Sequence, residues 1–260
     1  MKIASWNVNS IRVRLPHVKD FVNKQSPDVL LLQELKAQNK DIPILELEEL
    51  GYNVIYKGQK SYNGVAILSK HPIEDVKDSL YSNTKEDEQA RYLECWIDAK
   101  NNGFRVASIY LPNGNPINTQ KFDYKIDWMK KLKIRAKELL DNEECVILGG
   151  DFNVCPEDRD AANPENMRND ALFQPESRAK LREIINLGYY DAWRAINPDK
   201  TEWSYWDYGR AFEQNKGLRI DHFLLSPIAL DKLSSVEINK YHRSLEKPSD
   251  HAPIIINITD

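Results

Sequence analysis

Short apolar runs, several of them bounded at one end by a polar residue, constrain this chain more than any other feature. They fall at 2–7 (KIASWN), 28–33 (DVLLLQ), 52–57 (YNVIYK), 64–69 (GVAILS), 92–98 (YLECWID), 104–110 (FRVASIY), 145–149 (CVILG), 219–225 (RIDHFLL), 234–239 and 252–258 (APIIINI). Their length and apolar character predict buried strands. The runs 52–57 and 64–69, and likewise 92–98 and 104–110, are joined by short Gly-containing loops, the pattern of antiparallel hairpins. Helical periodicity appears in three stretches. It covers 15–25 through Leu15, Val18, Phe21 and Val22, then 118–141 through Phe122, Ile126, Met129, Leu132, Ala136 and Leu139, and finally 176–187, with Gly188 as a stop. Many strands with few helices suit an α/β sandwich better than a doubly wound parallel sheet. No repeat, low-complexity tract or linker interrupts the 260 residues, so one domain over 1–260 is expected.

The polar residues that end these runs are chemically biased. Asn7, Glu34, Tyr110, and Asp151 with Asn153 follow apolar strands, while Asp221 and the pair Asp250–His251 precede or open two others. In VILGGDFNV the chain reads as turning through Gly149 and Gly150 after the strand. Gly-Gly-Asp alone is ordinary turn chemistry. Six strand ends aimed at one place are harder to explain in that way. For all of them to share a rim, the last two strands must run opposite to the first four.

Gathered together, Glu34, Asp151, Asp221 and Asp250 would repel one another unless a cation sat among them. Carboxylates and carboxamides suit Mg²⁺, with Mn²⁺ as a substitute, better than Zn²⁺. His251, with Asp221 available to orient it, adds a phosphate partner or proton carrier. Asn7, Asn153 and Tyr110 add neutral donors for a charged transition state. The chain has no phosphate loop of the GxxxxGK[ST] type and no GxSxG, which leaves hydrolysis of a phosphodiester or phosphomonoester.

A net charge of −4 argues against coating nucleic acid by bulk charge but permits a local basic face. Lys57 and Lys60 with Lys36, Lys121 with Lys125, and Arg210, Lys216 and Arg219 are its candidate contributors, although each alone reads as solvated surface charge. The three cysteines have no metal-type spacing and read as reduced thiols of a cytoplasmic protein. No apolar run approaches the roughly 18 residues that span a bilayer, and MKIASWNVNS turns polar too early for a secretory signal. No dimerising segment or obligate protein partner is evident, so a monomer is expected.

The segments KIASWNVNSIR, PDVLLLQELK, YNGVAILSK, IYLPNG, LGGDFNV, GLRIDHFLLS and EKPSDHAP occur in that order from residue 2 to residue 253. Together they resemble the exonuclease III family of DNA-repair enzymes, within the endonuclease/exonuclease/phosphatase superfamily. The pairing of GLRID with EKPSDHAP is the most specific part. The resemblance implies a four-layered α/β sandwich, in which two mixed, largely antiparallel sheets pack face to face with helices outside. It implies a Mg²⁺-dependent nuclease that cuts 5′ to abasic sites in duplex DNA, digests 3′ to 5′ and cleans blocked 3′ ends.

By the same resemblance Glu34 is the principal metal ligand, with Asn7 beside it and Asp250 acting directly or through water; Asp151, Asn153 and His251 complete the surroundings of the metal. Asp151 activates the attacking water or protonates the leaving group. Asn153 stabilises the transition state, Tyr110 contacts the scissile phosphate, and Asp221 partners His251. Asn113 and Lys121 are candidates for the DNA backbone. Tyr205, Trp206 and Leu218, with Ile220, would line a pocket for a flipped abasic sugar. Trp6 and Ser10 depart from the family's common Phe and Gly, and the Trp6 swap reads as silent core packing. A phospholipid- or inositol-phosphate-cleaving cousin and a catalytically silent DNA-binding protein are the alternatives.

Overall fold

The computed structural model describes residues 1–80, 89–100 and 103–259. In chain order they form β1 (Lys2–Asn7), α1 (Ile11–Gln25), β2 (Val29–Gln33), α2 (Ile44–Glu48), β3 (Asn53–Lys57), β4 (Val65–Ser69), β5 (Ile73–Lys77), β6 (Tyr92–Ile97) and β7 (Phe104–Tyr110). They continue with α3 (Gln120–Asp141), β8 (Val146–Asp151), α4 (Pro175–Ile185), β9 (Tyr190–Asp191), α5 (Ala192–Ile196), β10 (Asp221–Leu225), α6 (Pro227–Asp231), β11 (Leu233–Ile238) and β12 (Ile254–Ile258).

Two six-stranded sheets result, ordered β11-β12-β1-β2-β4-β3 and β5-β6-β7-β8-β10-β9. Each holds one parallel pair, β1 with β2 and β7 with β8, and its other neighbours are antiparallel. Their inner faces meet through Ile3, Leu31, Ile67, Val106, Ile147, Phe223 and Ile256. The outer face of the first sheet packs Trp6, Leu30 and Leu32 against Phe21 and Val18 of α1. That of the second packs Leu148 and Leu224 against Trp128, Met129 and Leu132 of α3 and Leu181 of α4. The order helix, sheet, sheet, helix is the four-layered α/β sandwich. Covered on both faces, the central strands read as unbroken apolar runs instead of alternating ones. Among the described residues no helix is long and apolar enough to cross a membrane.

Several boundaries differ from the sequence expectation. The edge strand β5 was not anticipated because its residues are mostly exposed and polar, and β9 is only two residues long. Helix α1 starts at Ile11 and accommodates Pro16 in its second turn. Residues 101 and 102 of the anticipated β6–β7 loop lie outside the described residues. The Gly149–Gly150 pair does not turn the chain, since β8 runs through both to Asp151. A Cβ on Gly149 would stand 2.4 Å from Phe223 and 2.7 Å from Leu31, and one on Gly150 would stand 1.9 Å from the Ile109 carbonyl oxygen. These glycines let the two sheets and the β7–β8 pair approach closely at the strand end that carries Asp151.

Candidate active site

Strand direction brings the polar residues to one rim. Asn7 ends β1 and Glu34 follows β2, its parallel neighbour; Tyr110 ends β7 and stands in register with Asp151 at the end of β8. Asp221 opens β10, which runs antiparallel to β8, and pairs in register with Asp151. His251 precedes β12, which runs antiparallel to β1. The last two strands do run opposite to the first four.

At the centre, ligand atoms of Glu34, Asp151 and His251 lie within 4.8 Å of one another. Asn7 Nδ2 donates to Glu34 Oε1 and to Asp151 Oδ2, both at 2.9 Å, so one amide ties the two sheets' carboxylates together. Asp151 is completely buried. Its Oδ1 accepts the Asn153 backbone N–H at 2.9 Å, and its Oδ2 also accepts Asn153 Nδ2 at 3.2 Å. Burial pushes its pKa up to about 7; the charges of Asp221 and Glu34 push the same way, against His251 and Asn7. His251 Nδ1 sits 2.8 Å from Asp221 Oδ2, and its Nε2 faces Asp151 Oδ2 at 3.7 Å. Burial alone would lower the His251 pKa, but the carboxylates of Asp221 and Asp151 overcome it and carry it up to about 10. The imidazole is therefore a cation at neutral pH.

Burial also opposes ionisation of Glu34, yet the Lys36 ammonium 2.7 Å from its Oε2 and the Asn7 amide hold its carboxyl below the ordinary value. The Tyr110 hydroxyl is pushed well above its ordinary pKa by burial and by the charges of Glu34 and Asp151, so it remains a neutral donor. Glu34 and Asn153 have φ of 52° and 47°, the left-handed region. Such backbone costs roughly 1–3 kcal/mol per residue and persists only where its surroundings impose it. For Glu34 the imposing bonds are Ser10 N–H to its carbonyl at 2.8 Å and Leu35 N–H to the Gly64 carbonyl at 3.1 Å.

Other anticipated residues take secondary positions. Asp250 faces the same cavity, but its Oδ1 accepts Asn9 Nδ2 at 3.0 Å and it is not part of the central trio. Asn113 donates to Asn153 Oδ1 at 3.2 Å, while exposed Lys121 lines a neighbouring groove. Tyr205 and Leu218 bridge each other through backbone bonds and line a cavity of about 430 Å³ together with Ile220, Met167 and Leu172. The Tyr205 ring meets His251 at 5.0 Å.

Three placements correct the sequence reading. Trp206 is fully buried, packed edge-on against Phe212 behind the cavity, and presents no surface to DNA; the aromatic segment folds back so that only Tyr205 looks in. Arg219 is likewise buried, held by Asp160 at 2.7 Å and Asp191 at 2.8 Å, and belongs to no basic face. Lys125 is buried on α3.

The sequence reading missed Asn9, Arg91 and Tyr62. Asn9 accepts Lys36 Nζ at 2.5 Å and so links Lys36 to Asp250. The Arg91 guanidinium lies 4.9 Å from the Tyr110 ring, and exposed Tyr62 stands with Arg91, Lys36 and Lys121 around a second groove of about 670 Å³ that shares Glu34 and Tyr110 with the first. Asn9, two residues after Asn7, and Arg91, directly before a strand, were the available signals.

The donor set suits a hard divalent cation. Two carboxylate oxygens converge, and Asn7 and Asn153 turn amide N–H groups toward Asp151, leaving the carboxylates as the anionic donors.

The model of the Endonuclease/Exonuclease/phosphatase family matches residues 4–251. The chain is 32% identical to exodeoxyribonuclease III of Haemophilus influenzae, over 98% of both chains. Among solved structures, a 3′ phosphatase from Neisseria bound to a product DNA hairpin superposes over the full length of both chains with a TM-score of 0.95 and 34% identity. An AP endonuclease from Archaeoglobus fulgidus does so with a TM-score of 0.94 and 32% identity. Matched by the family model over residues 4–251 and by these relatives over nearly its whole length, the chain belongs to the endonuclease/exonuclease/phosphatase family and, within it, to the exonuclease III group of DNA-repair nucleases.

Proposed function

We propose that this protein is a Mg²⁺-dependent DNA-repair nuclease, a single catalytic domain acting as a monomer in the cytoplasm. It hydrolyses phosphodiesters 5′ to abasic sites in duplex DNA, digests 3′ ends and removes 3′-blocking groups. The observation that carries this reading is the meeting of Glu34, Asp151 and His251, far apart in the chain, at one rim between two grooves. The family relatives' exonuclease, AP endonuclease and 3′ phosphatase names support the three activities. Three free, buried cysteines suit a reducing compartment.

Glu34 and Asp151 would hold the cation, with Asp250 and the amides of Asn7 and Asn153 around it. Bound there, Mg²⁺, or Mn²⁺ in its place, would supply Lewis-acid polarisation of a phosphoryl oxygen and charge neutralisation. His251, whose imidazolium form the Asp221 and Asp151 carboxylates favour, donates from Nε2 to a phosphate oxygen while Asp221 fixes Nδ1. Asp151, the fully buried carboxylate at the centre of the site and facing His251, accepts the proton of the attacking water. Asn153 Nδ2 and the Tyr110 hydroxyl donate to the charge that develops on the phosphoryl oxygens.

The abasic sugar would enter the cavity walled by Tyr205, Leu218 and Ile220. Lys36, Arg91, Lys121 and Asn113 would hold backbone phosphates along the second groove, giving salt-sensitive binding with little sequence preference. The test compares an abasic duplex, a blunt duplex and a 3′-phosphate-ended duplex, with Mg²⁺ and with chelator. Chelator-sensitive product from these substrates is expected, and DNA left intact with Mg²⁺ present would refute the reading.

A further inference from the structure

The apolar stripe of α3 runs upward through Leu139, Ala136, Leu132 and Met129, and the next position on that face is Lys125. Phe122 and Ile126, anticipated on the stripe, are only half-buried. A lysine fully removed from water in a core stripe is unfavourable unless its side-chain nitrogen is engaged. Its Nζ donates to two backbone carbonyls, Asn153 at 2.6 Å and Asn113 at 3.0 Å. No ion pair to Lys125 is present among the described residues; burial brings its pKa down to about 7 against the opposing charges of Asp151 and Asp170, and the nitrogen donates to both carbonyls in either protonation state.

Both acceptors belong to loops of the proposed site. Asn153 has a φ of 47°, with its carbonyl turned toward α3 while its carboxamide donates to the Leu111 carbonyl at 2.9 Å and to Asp151 Oδ2 at 3.2 Å. Asn113 closes the circuit by donating its own carboxamide to Asn153 Oδ1 at 3.2 Å. The loop also wraps the lysine's stem: a Cβ on Gly114 would stand 2.6 Å from Lys125 Cδ.

We propose that Lys125 is a positioning residue for the phosphodiester hydrolysis: its buried Nζ clasps the 111–115 and 151–155 loops and holds the Asn153 carboxamide where charge develops. The proposal rests on the role assigned above to Asn153. Lys125 touches neither substrate nor cation and acts through that amide.

The test is a mutant cycle on an abasic duplex. Lys125→Met keeps the stem without the donors, Lys125→Arg restores donors, Asn153→Ala removes the amide, and a double variant carries Lys125→Met with Asn153→Ala. Circular dichroism and DNA affinity in chelator check folding and binding. Lys125→Met is expected to bind within threefold of wild type, to lose at least tenfold in kcat with KM little changed, and to be partly rescued in Lys125→Arg. If Lys125 acts through Asn153, the double variant is no more than about threefold slower than Asn153→Ala, because contacting residues in one network do not add. A Lys125→Met turnover within twofold of wild type overturns the clasp and leaves the Asn153 role standing. A multiplicative double variant overturns it as well. Should Lys125→Met fail to fold, Lys125→Gln is read in the same cycle by the same criteria. Full activity in Asn153→Ala would remove the Asn153 role, and the proposal with it.

Discussion

Two buried charge clusters sit in the second sheet and its surroundings, and they are built to opposite rules. In one, Glu94 on β6 is fully buried and accepts Arg105 at 3.0 Å, Arg135 at 2.7 Å and the Tyr92 hydroxyl; its carboxyl stays below the ordinary pKa despite burial. In the other, Asp151 is equally buried, meets neutral amides and an imidazolium, and faces a second carboxylate. Its pKa rises to about 7. The first cluster is saturated with guanidinium and has nothing left to bind. The second is short of positive charge, and that deficit is what a divalent cation and a phosphate-bound proton network can use. Charge shortage, more than the number of acids, distinguishes the site from the scaffold.

The widest gap between the two clusters should open on neutralising their acids. Asp151→Asn and Glu34→Ala are expected to lower turnover on an abasic duplex by roughly 10³-fold, in the range of a lost general base or oxyanion stabiliser. Asp151→Asn should melt at or above the wild-type temperature at pH 8. A carboxyl whose folded pKa lies above its unfolded value binds more protons when folded, so it loses stability as pH rises from about 3.8 to about 7. The variant's advantage is therefore full at pH 8 and gone at pH 4. Calorimetry at the two pH values and single-turnover incision check both halves, and wild-type incision by either variant would end the proposed roles.

Glu94→Gln should do the reverse. It leaves Arg105 and Arg135 short of a buried counter-charge and should cost about 3 kcal/mol of stability, read by urea unfolding. Incision per folded molecule should stay within twofold. A loss of turnover without loss of stability would erase the distinction between the clusters.

The sequence displayed the first cluster poorly and the second well, for a physical reason. Asn7, Glu34, Tyr110 and Asp151 interrupt apolar runs, and such interruptions are visible in a string of letters. Strand direction, which decides whether the ends meet, was constrained by the requirement that Asp221 and His251 open their strands. Buried cations leave no such mark. In the first cluster Glu94 finds Arg105 and Arg135 11 and 41 positions away, and elsewhere Arg219 finds Asp160 and Asp191 59 and 28 positions away, while Lys125 finds two backbone carbonyls. The glycines of LGGD read as a turn because the atoms they avoid, on Phe223, Leu31 and Ile109, belong to other strands.

The pH profile separates the groups within the site. In the proposed mechanism Asp151 is unprotonated and His251 protonated, so kcat/KM should be bell-shaped, with a basic limb at or below about pH 10 because a bound cation disfavours the imidazolium. A bound cation favours the Asp151 carboxylate, which sets the acid limb at or below about 7. Asp221→Asn removes the carboxylate that contributes most to raising the His251 pKa, and the basic limb should move down by about 1–3 pH units. An unmoved basic limb would mean that His251 does not set it.

The smallest expected effect concerns Trp6, which the sequence presented as a silent core residue. Its ring is fully buried against Phe21 and His242, at centroid distances of 5.6 and 5.3 Å, as packing alone would require. Its indole N–H, however, donates to the His251 backbone carbonyl at 3.1 Å and so joins β1 to the segment that presents the imidazole. Trp6→Phe keeps an aromatic core but leaves that carbonyl without its donor, at a cost of about 1–2 kcal/mol. Because His251 is also fixed through Asp221 and through its own N–H to Ser249 Oγ at 3.2 Å, turnover should fall only a few-fold. Thermal melting and kcat on the abasic duplex read the two effects separately. A variant that matches wild type in both would return Trp6 to plain packing and confine the positioning of His251 to Asp221 and Ser249.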